Sequence, residues 1–232
     1  MKTKIISTSK RLNSPGRSRR KCIQKFLYYF PGGYAGKKYI AWEREYKWNA
    51  HLAWEESLNK RSFQRYLEEG NFLEIAKRAI AIESKTNLLF SFEKMALRDA
   101  VKTKESAEIF SSGLFSFLHG KGTAKERFES FRDVLATLPV KQTRVLTWPL
   151  QTVFGFIAQP SRHIFLKPTV TKKAAMKYQY DFYYHSRPNW QTYESLLGFA
   201  ESVQKDTARW NPKDMIDLQS FIWVLGSEEY PD

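Results

Sequence analysis

Between Tyr39 and Leu58 the residues Trp42, Tyr46, Trp48, Leu52 and Trp54 recur at mostly helical intervals, with charged residues between them. This spacing predicts a long amphipathic helix. Its three tryptophans read as core or helix-contact residues, with a base-stacking surface as the alternative. Similar periodicity predicts helices over 62–69, 73–82, 87–101, 106–118 and 124–135. Gly70-Asn71 separates two of them, and Thr123 followed by Glu126 has the spacing of a capping box, in which each side chain satisfies an orphan amide of the other residue. Glu43, Glu45, Glu55, Glu56, Glu68 and Glu69 alternate with Lys or Arg and read as solvated helix faces.

After Pro139 the pattern shortens, because Pro149, Pro160, Pro168, Pro188 and Pro212 interrupt it. Proline donates no helix hydrogen bond, so each marks a start or a break. Helices are predicted over 149–158, 169–178, 192–209 and 213–224, the last with Asn211 as cap, Pro212 in the first turn, Asp214 against the dipole and Gly226 beyond its end. Only 181–185 has the character of a strand, and an extended loop fits it equally. The expected fold is mainly α: a multi-helix globular domain over 28–232, with possible sub-domains 28–137 and 138–232, preceded by a basic, flexible arm over 1–27.

Charge adds a partner to this picture. The chain of 232 residues carries 38 Lys+Arg against 24 Asp+Glu, a net charge of +14. Nine of those basic residues fall within residues 1–25, where there is no acid, so the remainder carries only +5. A polyanion such as nucleic acid is the partner this balance favours, with Arg19, Arg20 and Lys21 of the arm among the phosphate contacts. A disordered extension is the plainer reading of the same arm. Cys22 is the single cysteine, which excludes an intrachain disulfide and a thiolate zinc cluster and points to a reducing cytoplasm. No apolar run is long enough to span a bilayer, so no membrane partner is expected.

Glycine-rich phosphate loops, zincin histidines and a nucleophile-elbow serine are absent from the sequence. His51, His119, His163 and His185 lack ligand spacing, so neither a metal nor a small-molecule cofactor is implied. Two segments hold chemistry. The first places Glu83, Lys85 and Asn87 between two helices: either a helix cap at Thr86 or Asn87, or a pocket rim where Glu83 or Glu93 serves as general base. In the second, Leu138-Pro139 leads through Lys141, Gln142 and Arg144 to Thr147-Trp148-Pro149-Leu150-Gln151, a mixture suited to holding a backbone and stacking a base. Thr169, Thr171, Lys172 and Lys173 then offer phosphate donors at a helix start, although capping and surface charge explain them too.

Over residues 138–226 this order resembles helix-hairpin-helix DNA glycosylases. In that family a Leu-Pro hairpin grips DNA phosphate, followed by an apolar helix, an aspartate-bearing helix start and a late helix. Here Leu138-Pro139 stands at the hairpin and Leu166-Lys167-Pro168-Thr169-Val170 at the helix start. The sequence departs from the family by having Val140-Lys141-Gln142 where a Gly-x-Gly is usual, and Lys167 where the aspartate is usual. The resemblance implies an enzyme that flips out and excises a damaged or modified base from duplex DNA, in repair or in antiviral defence. Its base pocket would be Trp148, Gln151 and Phe165. A lysine cannot act as the family carboxylate, so Lys167, or Lys141 of the hairpin, would attack as an amine, with Glu83, Glu93, Asp214 or Asp217 supplying the carboxylate. The alternative is a nucleic-acid-binding protein without catalysis, in which the same lysines contact only phosphate.

Overall fold

A computed structural model describes residues 16–232, and among them it contains helices and no strand. The chain forms α1 (Arg17–Tyr29), α2 (37–57), α3 (Lys60–Glu68), α4 (Phe72–Ser84), α5 (Ser91–Ala100), α6 (Lys104–His119), α7 (Ala124–Thr137), α8 (Trp148–Ala158), α9 (Pro168–Tyr178), α10 (Trp190–Asp206) and α11 (Met215–Gly226). Most starts follow local chemistry. Asn59, Thr103, Thr123, Thr147, Asn189 and Asp214 each accept a first-turn amide on their side chain. Pro149 and Pro168 sit in first turns, where their missing N–H costs nothing.

Two helices are buried almost all round and organise the rest. Every residue of α8 is buried, and it packs against α2, α4, α6 and α7. An apolar sequence on all sides has no solvated face, so the other helices must enclose it. Helix α11 is buried from Ile216 to Gly226 apart from Trp223, which is half-buried, and α1, α9 and α10 surround it. One continuous core joins both hubs, so it crosses the boundary between 28–137 and 138–232.

The basic N-terminal segment is helical over part of the expected arm. Residues 1–15 lie outside the described residues, but 17–29 form α1, with Cys22, Ile23 and Phe26 buried. Their helical spacing puts the apolar side inward and leaves Arg17, Arg20 and Lys21 in solvent. The Phe26 ring lies 5.2 Å from Phe221 of α11, and losing such a buried ring costs about 3–5 kcal/mol. Burial raises the Cys22 thiol to about 11, which makes it unreactive.

Two further expectations change, and a third resolves to the loop of its two alternatives. Helix α5 begins at Ser91, not 87, because residues 85–90 form a loop in which the Glu93 carboxylate accepts the Phe90 N–H at 2.8 Å. Asp214, not Asn211, caps α11 by accepting the Ile216 N–H at 2.9 Å, while Asn211 takes a left-handed conformation at φ 52°. Residues 181–185 are irregular, held by the Tyr183 and His185 amides on hydroxyls of α10.

Close helix approach explains one glycine. A Cβ at Gly226 would overlap the backbone oxygen of Val170, where α9 and α11 touch. Backbone cannot swing aside, so Gly226→Ala should destabilise by about 1–3 kcal/mol. At Gly198 the nearest atom is the flexible end of Tyr180, so Gly198→Ala should cost much less. Urea unfolding of both variants checks this, and equal losses would contradict it.

Core packing also predicts a pH response. His163 is buried against Phe117, and burial followed by the Arg127 and Arg162 charges lowers it to about 4. Between the ordinary 6.5 and 4 the unfolded chain takes up a proton that the folded chain refuses. Stability should therefore fall as pH drops through that window, by about 3 kcal/mol for this group. In urea titrations His163→Gln should flatten this dependence; an unchanged slope would contradict it.

Candidate nucleic-acid interface

Helix α2 contains a π turn over Ile40–Arg44 between two α-helical stretches. Such an insertion shifts the register of the side chains around it. Glu43, Arg44 and Lys47, which were expected on solvated faces or not singled out, are instead buried against α11. Arg44 donates to both Asp214 oxygens, at 3.0 and 2.7 Å, and to Asp217 Oδ1 at 2.6 Å. The Tyr39 hydroxyl and the Lys213 amide complete Asp217, at 2.6 and 2.7 Å. Lys47 bridges Glu43 at 3.0 Å and Ser220 at 2.8 Å, and the Tyr230 hydroxyl donates to Glu43 at 2.6 Å. Burial works against the Arg44 charge, but Asp214 and Asp217 together outweigh it and hold Arg44 above its usual range, whereas at Lys47 burial prevails over Glu43 and lowers the amine.

Asp217, a candidate catalytic carboxylate, is therefore fully enclosed and consumed by structural partners. Among the expected catalytic residues, Lys167 and Glu83 come together. Lys167 precedes Pro168, which disfavours a helical backbone before it, and its extended conformation turns the side chain toward the 85–90 loop. Its Nζ donates to Leu88 O at 2.9 Å and lies 3.5 Å from the Phe90 ring centroid. Burial lowers the amine, with the charges of Glu93 and Glu83 pulling it back.

Both carboxylates are buried and have local partners. Glu83 accepts from Thr86 Oγ1 at 3.2 Å and lies 3.6 Å from Lys94 Nζ. Burial raises Glu83 and Glu93, opposed by Lys94 in the first case and by the Phe90 N–H in the second. Lys167, Glu83 and Glu93 thus form an amine with two carboxyls, each biased toward its neutral form.

Above this group Phe90 and Phe92 stack at 5.5 Å and remain 54% and 50% exposed, with Met95 also exposed. Phe92 and Met95 line a cleft with Asp99, Lys141, Gln142 and Thr143, and Lys141 Nζ is 3.6 Å from Asp99. Lys141 is exposed and shares the cleft with Phe92, and Lys167 lies against Phe90. The sequence showed Leu88-Leu-Phe-Ser-Phe only as an apolar run. Its one legible cue was the Phe-Ser-Phe alternation beside a charged segment.

The residues expected to line a base pocket lie inside the core. Trp148, Gln151 and Phe165 are core residues: Trp148 Nε1 donates to His185 O at 2.8 Å, Gln151 Nε2 donates to Phe128 O at 3.1 Å, and Phe165 packs on Phe156. The apolar surroundings of α8 draw these side chains inward. Among the expected phosphate contacts, Arg144, Thr169 and Lys172 are exposed, Thr171 is buried, and Lys173 pairs with Glu228 at 2.9 Å. On α1, Arg20 and Lys21 are exposed, while Arg19 pairs with Asp206 at 3.3 Å.

The tryptophans of α2 divide between both readings. Trp54 is core, whereas Trp42 and Trp48 are exposed and carry Lys38 and Arg44 over their rings at 4.5 and 5.2 Å. No described helix is long and apolar enough to cross a membrane, and the described residues contain no metal-binding group of three His, Cys, Asp or Glu. Comparison with known protein families, characterised proteins and solved structures finds no match.

The buried ion network sets a stability prediction. Arg44→Met would leave Asp214 and Asp217 enclosed without their cation, and should cost about 3–5 kcal/mol in urea unfolding. Adding Asp217→Asn should restore part of that loss. A single-variant loss below about 1 kcal/mol would contradict the network's role.

Proposed function

We propose that this chain binds DNA through the face formed by Phe90, Phe92, Met95, Lys141 and Lys167. The observation that carries the reading is the exposed, stacked Phe90–Phe92 pair with Lys141 and Lys167 beside it. Exposed apolar rings suit entry between bases, with the exposed Lys141 ammonium on a phosphate. The charge of +14 supplies long-range attraction.

A second reading, base excision, is favoured by the Lys167 amine beside two carboxyls with raised proton affinity. In this reading the neutral Lys167 amine attacks the anomeric carbon as the N-glycosidic bond breaks and its electron pair leaves with the base. Glu93 carries the proton lost by the new C–N ammonium to that base, and sugar-ring opening gives an imine. Phe90 covers the amine, so it must move for attack.

Duplex-DNA retention measured over a salt series tests binding. Phe90→Ala and Phe92→Ala should each weaken it roughly tenfold, and Lys141→Ala should lower the salt slope by about one. Unchanged retention in all three would reject this face. Borohydride trapping on a panel of modified duplexes tests the chemistry: a covalent adduct should form and vanish in Lys167→Ala. Binding without an adduct leaves the non-catalytic reading, and an adduct that persists in Lys167→Ala but not in Lys141→Ala moves the nucleophile to the hairpin.

A further inference from the structure

Six buried side-chain polar atoms make no hydrogen bond among the described residues, and four belong to one locality: His119 Nε2, Arg127 Nε, Gln159 Oε1 and His163 Nε2. The turn after α6 gathers their side chains. Gln159 Nε2 donates to Leu118 O at 3.0 Å, and Arg127 Nη1 donates to Gly120 O at 3.2 Å and Gly122 O at 3.3 Å. His119 ends α6, and the His163 ring packs 4.8 Å from Phe117 on the same helix. Buried polar atoms normally have partners, so four exceptions in one place require a common cause.

The cluster is rich in donors and poor in acid. The Tyr193 hydroxyl accepts the Ile164 N–H at 3.2 Å and lies 3.2 Å from His163 Nδ1, so its own proton points to that nitrogen. This hydrogen-bond logic assigns the neutral imidazole's proton to Nε2, which is then an unmatched donor on a side chain only 7% exposed. Arg127 Nε is a second. The charges of Arg127 and Arg162 bear on both imidazoles, Lys60 bears on His119 as well, and no carboxylate bears on either. Arg162 is exposed, and His119, Arg127 and Gln159 are half-buried.

We infer that the 118–122 turn and the 159–163 segment form an oxyanion site that takes a phosphate group. Arg127 Nε and His163 Nε2 donate to its oxygens, Arg162 supplies charge at the rim, and Gln159 Oε1 accepts from a protonated phosphate oxygen. Gly155 lets the His163 and Phe117 rings pack against α8, because a Cβ there would meet both at 2.9 Å. The site shares no residue with the Phe90–Phe92 face and does not rest on DNA binding there.

Inorganic phosphate titrated into the full chain, against chloride at matched ionic strength, tests the site by thermal unfolding and by imidazole nitrogen NMR. Phosphate should raise the melting temperature and shift the His163 Nε2 resonance, and Arg127→Met should weaken both effects roughly tenfold or more. Should Arg127→Met fail to fold, the exposed Arg162→Met serves in its place, with a smaller loss. A parallel arm compares an oligonucleotide with and without a 5′-phosphate. A response to inorganic phosphate identifies free phosphate as sufficient; a response only to the phosphorylated oligonucleotide identifies a nucleic-acid end. No response to either, or an equal response in the arginine variants, overturns the site and leaves the four atoms to water. Failure of the Phe90 or Phe92 variants to alter DNA retention would not change this result.

Discussion

The Arg44 guanidinium, shared between Asp214 and Asp217, is the contact on which the arrangement of the helices depends. It joins the π turn of α2 to the start of α11 across more than two thirds of the sequence. Desolvating these groups is costly, and their contacts offset the cost only with near-complete hydrogen bonding. Tyr39 and Lys213 supply that completion at Asp217, while Lys47 and Tyr230 do the same for neighbouring Glu43, with Ser220 accepting from Lys47. With α11 fixed, Gly226 lets α9 approach at Val170, and the first turn of α9 sets Lys167 under the 85–90 loop. The reactive-looking amine is therefore held, through two helix contacts, by an ion pair deep in the core.

The surface above Lys167 combines opposing demands. Buried Glu83 and Glu93 would gain by protonation, whereas Lys167 would gain by losing its proton, and each group's charge partly relieves its neighbour. Phe90 contributes to both sides: its backbone N–H binds Glu93, and its ring faces the Lys167 ammonium. Moving Phe90 would disturb the whole group. A ligand that displaces its ring would consequently alter the proton balance beneath it.

Helices were largely legible because their signals are local. Thr123 with Glu126, Pro149 after Thr147, and the apolar spacing of α6 act within a few residues, and the structure follows them. Local chemistry was insufficient where a distant partner decided the outcome. Glu43 and Lys47 have the i, i+4 spacing of a solvated pair, yet the π turn and α11 bury them. Trp148 and Gln151 looked like a stacking and edge-reading pair because nothing in their neighbourhood reveals that α8 is enclosed on every side. The convergence of Lys167 with Glu83 and Glu93 likewise depends on a contact between residues 79 positions apart, from Lys167 to Leu88.

We propose the Phe90–Phe92 surface, beside Lys141 and Lys167, as the place where this chain would meet DNA. Hydrogen–deuterium exchange of the full protein with and without duplex DNA tests it most directly, since backbone amides report the location of contact. The account predicts added protection over residues 88–95 and 140–143. Protection confined to α1 or to the Trp42–Trp48 side of α2, with residues 88–95 unchanged, would contradict it.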